Sequence, residues 1–540
     1  MESLAADLRH MQRTPLHASH VEALRAHGAE VVFEEGAMVV EPGEPIDQFI
    51  YILEGDVRLV DPLTNEPYLP DGLGPTQFVG EISFLTGGVH AFKLRAFKRT
   101  RAISVPRSTM LELMARIPEM SDIIITVFAA RRRRQLEEGD SSLTLIGPDE
   151  SKSMRQIAAF AHRNRIPFKT LEVSSPEAQA LARRHGVLPG PSVLFGTDRL
   201  VHDPTPTAVA ELLGLDRSFA SGEVFDLLIV GGGPAGVAAG VYAGAEGLRA
   251  ILVEELAIGG QAGTSSRIEN YMGFPTGISG ADLVWRGEVQ AMKFGTQFAV
   301  PRRVDSLEWD DAVFRARLND GQEVCAKAVL VATGVQYRRL PLDGLEGFEG
   351  AGVYYAATET EARYCRGKEV VIVGGGNSAG QAAMFLSRSA SHVHLAVRSD
   401  SLANSMSDYL SGRLREEPKV TIHFRTEVTA LHGQQELEGL TLTHRDSRAT
   451  TDMSSCSLFI MVGAAPNTGW LSGRVSLDEK GFVLTGSDVG QASRFATSHP
   501  GIFAVGDVRA GSTKRVASAV GEGSVVISNV WTFIQTSKVA

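Results

Sequence analysis

Cysteine is nearly absent from this chain: Cys325, Cys365 and Cys456 are the only three in 540 residues. No two stand close in sequence, which excludes a C-x-x-C dithiol and zinc-ligand spacing. It also excludes a disulfide-stapled secreted scaffold and fits a reducing compartment. A basic excess is missing too. Lys and Arg number 53 against 63 Asp and Glu, a net charge of −10, which argues against a general nucleic-acid binder. Long apolar runs are lacking: the longest, Ile123 to Ala130, falls far short of the roughly 20 residues a bilayer needs. Met1 to Arg13 is mixed and charged and has no signal-peptide core. The expectation is a cytoplasmic protein without membrane, nucleic-acid or metal partners.

Glycine, by contrast, is plentiful, with 56 residues clustered in short motifs. At roughly 150 residues per domain the length predicts three or four domains. Residues 30–107 read as short strands, Val31–Phe33, Met38–Val40, Phe49–Leu53 and Val57–Val60, punctuated by Glu-Gly and Pro-Gly. This is the pattern of a small antiparallel barrel or jelly roll. Ser108 to Glu138 turns helical and leaves through Arg131-Arg132-Arg133-Arg134, a run that reads as a solvated helix end. Residues 143–216 alternate strand and helix. Polar linkers precede and follow them, at Glu137–Ser142 and Asp216–Gly222.

The strand Phe225–Val230 runs directly into Gly231-Gly232-Gly233-Pro234-Ala235-Gly236 and a small-residue helix. A second strand, Ala250–Val253, ends in Glu254. This is G-x-G-x-x-G in its full strand–turn–helix context. Gly231 permits the tight turn, Gly233 lets a pyrophosphate approach, and Gly236 lets the helix pack on the strand. With Pro234 and Ala235 they place the phosphates at a helix N-terminus, and Glu254 can accept ribose hydroxyls. The unit recurs: strand Glu369–Val373, then Gly374, Gly375, Gly376, Asn377, Ser378 and Ala379, a helix, and strand His392–Ala396. The position matching Glu254 holds Val397, followed by Arg398. An acid there would repel a 2′-phosphate and an arginine accommodates one, so NADPH is favoured, with NADH as the alternative. Two such sites pair most economically as one flavin and one nicotinamide dinucleotide.

These residues resemble the low-molecular-weight thioredoxin reductase family across 224–540. Ile258-Gly259-Gly260-Gln261 and Arg267 to Pro275, with Asn270, look like the family's flavin-contacting segments. Val331-Ala332-Thr333-Gly334 resembles the turn closing the first flavin segment, and Phe459 to Asn467 the return to it. Gly501 to Asp507, with Gly506, resembles the second FAD fingerprint, whose aspartate contacts the ribityl chain. Lys514-Arg515-Val516-Ala517 sits where the family has Arg-Gln-Ala near the flavin ring. The resemblance implies an FAD domain split around an NAD(P)H domain, and a homodimer. The family's Cys-Ala-x-Cys-Asp is replaced by Ala356-Ala357-Thr358-Glu359-Thr360. Thiol exchange through that motif therefore has no attacking or resolving sulfur. Glu359 is the candidate proton donor, and Cys365 reads as an inert buried thiol.

Residues 10–135 resemble a cyclic-nucleotide-binding domain. Tyr51 to Val57 matches its central strand, and Phe78 to Leu85 its phosphate-binding cassette, with Gly80, Glu81 and Ile82. His90 stands where the family's phosphate-pairing arginine belongs, so nucleotide sensing and a docking role both stay open. Residues 143–216 resemble a thioredoxin or glutaredoxin fold. Leu188-Pro189-Gly190-Pro191-Ser192-Val193 looks like its cis-proline strand, with Pro191 in the cis position, and the redox cysteines are missing. The expected fold is multidomain α/β: a jelly roll plus helices (1–140), a thioredoxin-like domain (141–218), then two Rossmann-like domains. The FAD domain occupies 219–342 and 464–540, and the NAD(P)H domain 343–463. The expected function is transfer of hydride from NADPH to FAD, then of electrons to an unidentified acceptor, a small molecule or a redox protein. A flavin oxidase using O₂ and a non-catalytic nucleotide- and flavin-binding sensor are the alternatives.

Overall fold

The computed structural model describes residues 11–61, 64–69, 72–138, 141–148, 151–185, 190–215, 219–220, 222–265, 268, 270–310, 313–349, 351–355, 357, 359–403, 405–434, 436–471 and 473–537. Among the sequence-predicted features, Leu188, Pro189, Arg267, Glu269, Ala356 and Thr358 lie outside these residues. So do the side chains of Glu359 and Thr360. The chain divides into two compact units. One comprises residues 1–223, 249–257 and 289–303; the other comprises 224–248, 258–288 and 304–540. No described helix is long and apolar enough to cross a membrane.

The first unit opens with α1 (Ala18–His27) and strands β1 (Ala29–Phe33), β2 (Met38–Val40), β3 (Gln48–Val60), β4 (Phe78–Val79) and β5 (Lys93–Pro106). They form one antiparallel sheet in the order β1-β5-β3-β4, with β2 also on β5. The two strands expected at 49–53 and 57–60 are a single 13-residue strand. Its Glu54-Gly55-Asp56 segment is a bulge, where the register with β5 shifts, and not a turn. The helix expected over 108–138 is two, α2 (Arg107–Arg116) and α3 (Pro118–Glu138), because Pro118 cannot continue α2 but is well placed to begin the next helix. Phe49, Phe78, Phe84 and Phe128 are fully buried and pack ring against ring between this sheet and α3.

An α/β layer follows: β6 (Leu143–Ile146), α4 (Lys152–Arg163), β7 (Lys169–Leu171), α5 (Pro176–His185), β8 (Ser192–Phe195), β9 (Arg199–His202) and α6 (Pro206–Leu212). Its sheet runs β7-β6-β8-β9, with β6 parallel to β7 and antiparallel to β8. The layer thus combines a β6-α4-β7 unit with parallel strands and a β8-β9-α6 unit with antiparallel strands. One detail differs from the sequence expectation. The cis peptide bond among the described residues is Val300–Pro301, and the bond before Pro191 is trans. Trans is the cheaper state of an X–Pro bond by about 0.5–1 kcal/mol, and the motif alone does not reverse that preference.

The second unit begins with β10 (Val224–Val230) and α7 (Pro234–Ala245). β11 (Ala250–Val253) and β12 (Gln297–Ala299), whose segments belong to the first unit, pair in parallel, and α8 (Gly280–Lys293) lies between them in sequence. β13 (Val304–Trp309) and β14 (Phe314–Leu318) form an antiparallel extension that reaches the first half of β15 (Glu323–Val331). β15 runs parallel to β10 along its length. Its last residues, Val329–Val331, pair with β26 (Ile502–Ala504), a strand that arrives from the far end of the chain. Between them the chain makes β16 (Val335–Tyr337), α9 (Leu345–Phe348), β17 (Val353–Tyr354), α10 (Glu359–Tyr364), β18 (Glu369–Val373), α11 (Asn377–Leu386), β19 (His392–Val397), α12 (Asp408–Glu416) and β20 (Val420–Phe424). A three-stranded sheet of β21 (Thr426–Gly433), β22 (Leu437–His444) and β23 (Thr450–Met453) follows. β24 (Leu458–Ile460) completes a parallel sheet β17-β24-β18-β19-β20. β25 (Ala464–Pro466) pairs with β16, and the chain ends in α13 (Val516–Ser537).

Candidate functional site: two dinucleotide seats

At the first turn the three glycines do different work. Gly231 has φ +110°, and a Cβ there would lie 2.4 Å from the Ala332 carbonyl oxygen. A Cβ on Gly236 would lie 1.9 Å from the Gly231 oxygen. Both are required by packing. Gly233 is different: its Cβ direction points into open space, with nothing within 4 Å. That clearance, beside the first turn of α7, fits a pyrophosphate, because the helix start offers unpaired N–H groups and the positive end of its dipole. Pro234 occupies the first helical turn, where its missing N–H costs nothing.

Distant segments close on the same turn. Gly259 donates to the Gly232 carbonyl at 2.8 Å, and a Cβ on Gly260 would come within 3.1 Å of Gly233. From the last segment, a Cβ on Gly506 would lie 3.1 Å from the Ala235 side chain, and one on Gly523 2.2 Å from the Ala235 oxygen. The Gly506 N–H donates to Glu522 Oε2 at 2.7 Å, and Arg509 Nη2 donates to Glu522 Oε1 at 2.6 Å, both side chains buried. The neighbouring Asp507 carboxyl is pushed above its ordinary value by burial and by the Glu522 charge, against the opposing pull of Lys514. Thr333 Oγ1 donates to the Asn467 carbonyl at 2.8 Å, and Asn467 N–H to the Gly334 carbonyl at 3.3 Å. Gln261 Nε2 donates to the Val335 carbonyl at 2.7 Å. Glu254 follows β11 directly, and its Oε1 accepts the Leu256 N–H at 3.0 Å. Asn270, Arg515 and Ala517 are exposed, and Val516 begins α13 half-buried.

The second turn repeats the first with changes. Gly374 has φ +148°, and a Cβ there would lie 2.4 Å from the Met461 oxygen. The third glycine is replaced by Ala379, buried at the start of α11. A Cβ on Gly376 would find its nearest neighbour, the Ser405 oxygen, at 3.7 Å, and Asn377 and Ser378 are exposed on the first turn of the helix. Ser405 Oγ donates to the Gly375 carbonyl at 2.7 Å, and Asn377 Oδ1 accepts the Ser407 N–H at 2.9 Å. Arg398 is exposed immediately after β19 and, among the described residues, makes no ion pair. The residues thus leave room for a pyrophosphate at the start of each helix, and an exposed cation follows the strand after the second.

Cys365 is fully buried and its thiol donates to Ser457 Oγ at 3.3 Å; burial pushes its pKa up. Glu359 opens α10. In the first unit, Gly80 has φ +145°, and a Cβ there would strike the Phe128 ring at 2.6 Å. Glu81 is buried at the start of the 3₁₀ turn Ile82–Phe84, Ile82 is buried, and His90 is half-buried. The arginine run is not a solvated helix end. Arg132 is 8% exposed, and Arg131 donates to the Phe78 and Gly80 carbonyls at 2.8 and 3.0 Å. Burial, with the charges of Arg134 and Arg13, lowers the Arg131 pKa to about 9. A run of like charge gave no sign of which members would turn inward.

Comparison with known proteins agrees with this geometry. Residues 225–523 match the profile of the pyridine nucleotide-disulphide oxidoreductases, and residues 30–117 that of the cyclic nucleotide-binding domain. The chain belongs to the pyridine nucleotide-disulphide oxidoreductase family. Within it, the chain is similar to a thioredoxin reductase of Streptomyces clavuligerus, 33% identical over 56% of this chain and 91% of the relative. It is 31% identical to NADPH-dependent thioredoxin reductase 3 of Arabidopsis thaliana over 61% of this chain, spanning only 64% of the plant protein. The crystal structure of Lactococcus lactis thioredoxin reductase matches 58% of this chain and 99% of its own, with 27% identity and a TM-score of 0.53.

Proposed function

We propose that this protein oxidises NADPH through bound FAD and delivers the electrons directly to an external acceptor, without a dithiol. The observation that carries this reading is a pair of dinucleotide turns in a chain whose three cysteines form no C-x-x-C motif. When bound, FAD accepts a hydride from reduced nicotinamide and passes electrons onward. The chain's own residues do the rest. Gly233 and the first turn of α7 receive the flavin's pyrophosphate, and Glu254 accepts its ribose hydroxyls. Asp507, on the turn tied down by Glu522 and Arg509, holds the ribityl chain. Gly374, Gly376, Asn377 and Ser378 seat the second pyrophosphate, and Arg398 pairs with a 2′-phosphate, which selects NADPH over NADH. Cys365 cannot replace the missing dithiol, because a buried thiol with a raised pKa yields little thiolate. Glu359, in the place of the family's second cysteine, is the proposed proton donor. Residues 1–218 form the regulatory half, and a homodimer in the cytoplasm is the proposed working form.

Anaerobic titration tests this. NADPH should bleach the visible flavin band stoichiometrically, and dye reduction should persist where thioredoxin disulfide is not reduced. An unchanged spectrum with excess NADPH and NADH overturns the proposal. NADPH consumption that stops when oxygen is removed, with no other acceptor used, selects an oxidase instead.

A further inference from the structure

The N-terminal sheet matches a domain type named for cyclic nucleotides, yet its cassette is engaged from within. Glu81, the acid such a cassette would offer a ribose, is 5% exposed, and its Oε2 accepts from Arg132 Nη2 at 3.0 Å. The same nitrogen reaches Ser83 Oγ at 3.1 Å, and Arg132 Nη1 donates to the Arg165 carbonyl of the α/β layer at 3.1 Å. Arg131 donates to the Phe78 and Gly80 carbonyls, and Arg107 to those of Phe84 and Leu85 at 2.6 and 2.7 Å. Three guanidinium groups around the cassette are therefore committed to the cassette itself.

What a cyclic phosphate would meet is unfavourable. His90 stands where a guanidinium is needed, and burial lowers its pKa, so the ring is neutral at pH 7. The charged groups acting on it are the carboxylates Glu81, Glu44 and Asp47. An anion desolvated beside three acids gains no partner from Arg132, which is paired with Glu81, and Arg131 and Arg107 are turned onto backbone carbonyls of the cassette. The residues present do not fit the nucleotide.

They fit a joint. Val89, just beyond the cassette, packs against the apolar core of the α/β layer, built from Leu143, Ile157 and Val209 among others. A Cβ on Gly214, just after α6, would lie 2.6 Å from Val89. Around the rim, Arg199 Nη2 donates to the Gly43 carbonyl at 3.3 Å, and the Gly43 N–H donates to the His90 carbonyl at 2.8 Å. Lys169 Nζ pairs with Asp61 Oδ2 at 2.7 Å.

We propose that the cassette is an intramolecular joint, with Arg132 as a pin through Glu81, Ser83 and the Arg165 carbonyl, and that it takes no cyclic mononucleotide. Calorimetric titration of the full chain with cAMP and with cGMP should give no saturable heat at millimolar nucleotide. In hydrogen–deuterium exchange, Arg132→Met should raise exchange together in residues 78–85 and 163–168, by about tenfold or more, since both lean on one side chain. Arg132→Lys keeps a charge for Glu81 but lacks the fork, so exchange should rise at 163–168 and less at 78–85. One-to-one binding of either nucleotide by the wild type overturns the proposal. So does Arg132→Met, or Arg132→Lys where the first variant fails to fold, if exchange at 163–168 stays at the wild-type rate.

Discussion

The two glycine turns share a strand, a turn and a helix, and they differ in how tightly they are closed. At the first, the third position is Gly236, jammed against the Gly231 carbonyl, and Gly260, Gly506 and Gly523 crowd the same few atoms. At the second, the third position is Ala379, so the turn tolerates a methyl group there, and two side-chain hydrogen bonds from Ser405 and Asn377 border it. The first turn is built from segments far apart in sequence and leaves one gap, at Gly233. The second meets Met461 and Ser405 from later in the chain and has an exposed helix start followed, after β19, by an exposed cation. On the proposed function, the difference is that between a seat for a resident cofactor and one for a substrate that comes and goes.

The sharpest way to break this comparison is at the third position. Gly236→Ala forces a carbon into backbone, an overpacking of about 1–3 kcal/mol, and should weaken FAD binding roughly tenfold to a hundredfold. Purified variant should be nearly colourless, while Ala379→Gly at the other turn should keep its flavin. A fully yellow Gly236→Ala protein would remove the distinction. Next in size is Arg398→Ala. Losing one charged hydrogen-bond partner, about 1.5–3 kcal/mol, should raise KM for NADPH at least tenfold and leave KM for NADH unchanged. Equal effects on both coenzymes would mean that Arg398 does not read the 2′-phosphate.

Asp507 gives a smaller effect of opposite sign on two measurements. Its pKa is raised in the folded chain, so the folded state holds the proton more tightly than the unfolded one. The contribution of Asp507 to the stability of the FAD-free protein is therefore greatest below the ordinary value of about 3.9 and is lost as pH rises through the folded-state pKa. Asp507→Asn should flatten that fall and raise the neutral-pH melting temperature of the flavin-free chain, while weakening FAD binding. A melting profile that keeps the wild-type pH dependence would contradict it. The smallest effect belongs to Cys365→Ser, which should leave the NADPH-to-acceptor rate unchanged. A large loss of rate would give that thiol a role in electron transfer.

Local pattern carried much of this molecule. Both glycine turns fall where strand, spacing and helix placed them, because each is a contiguous βα unit whose periodicity and turn chemistry agree. What was not legible depends on partners distant in sequence. Whether Glu54-Gly55-Asp56 turns or bulges is decided by β5, some 40 residues on in the chain, and not by the dipeptide. The inward turn of Arg132 depends on Glu81, and the lock at Gly506 on Glu522 across the start of α13. An acid between two glycines, Gly521-Glu522-Gly523, was the available hint, but a hydrophobic helix bearing one carboxylate has many readings. The trans bond at Pro191 is the intrinsic preference of an X–Pro bond, which the six-residue motif does not reverse.

The pairing of β15 with β26, together with the approach of Gly523 to Ala235, also constrains how the molecule is made. Synthesis runs from the N-terminus, so the flavin turn emerges from the ribosome long before the strand and helix that finish it. The parallel sheet of β17, β24, β18, β19 and β20 is complete in sequence between them and is free to fold first. On the proposed reading flavin capture waits until α13 has been made, and a chain cut short before it would be released pale however well its other parts had folded.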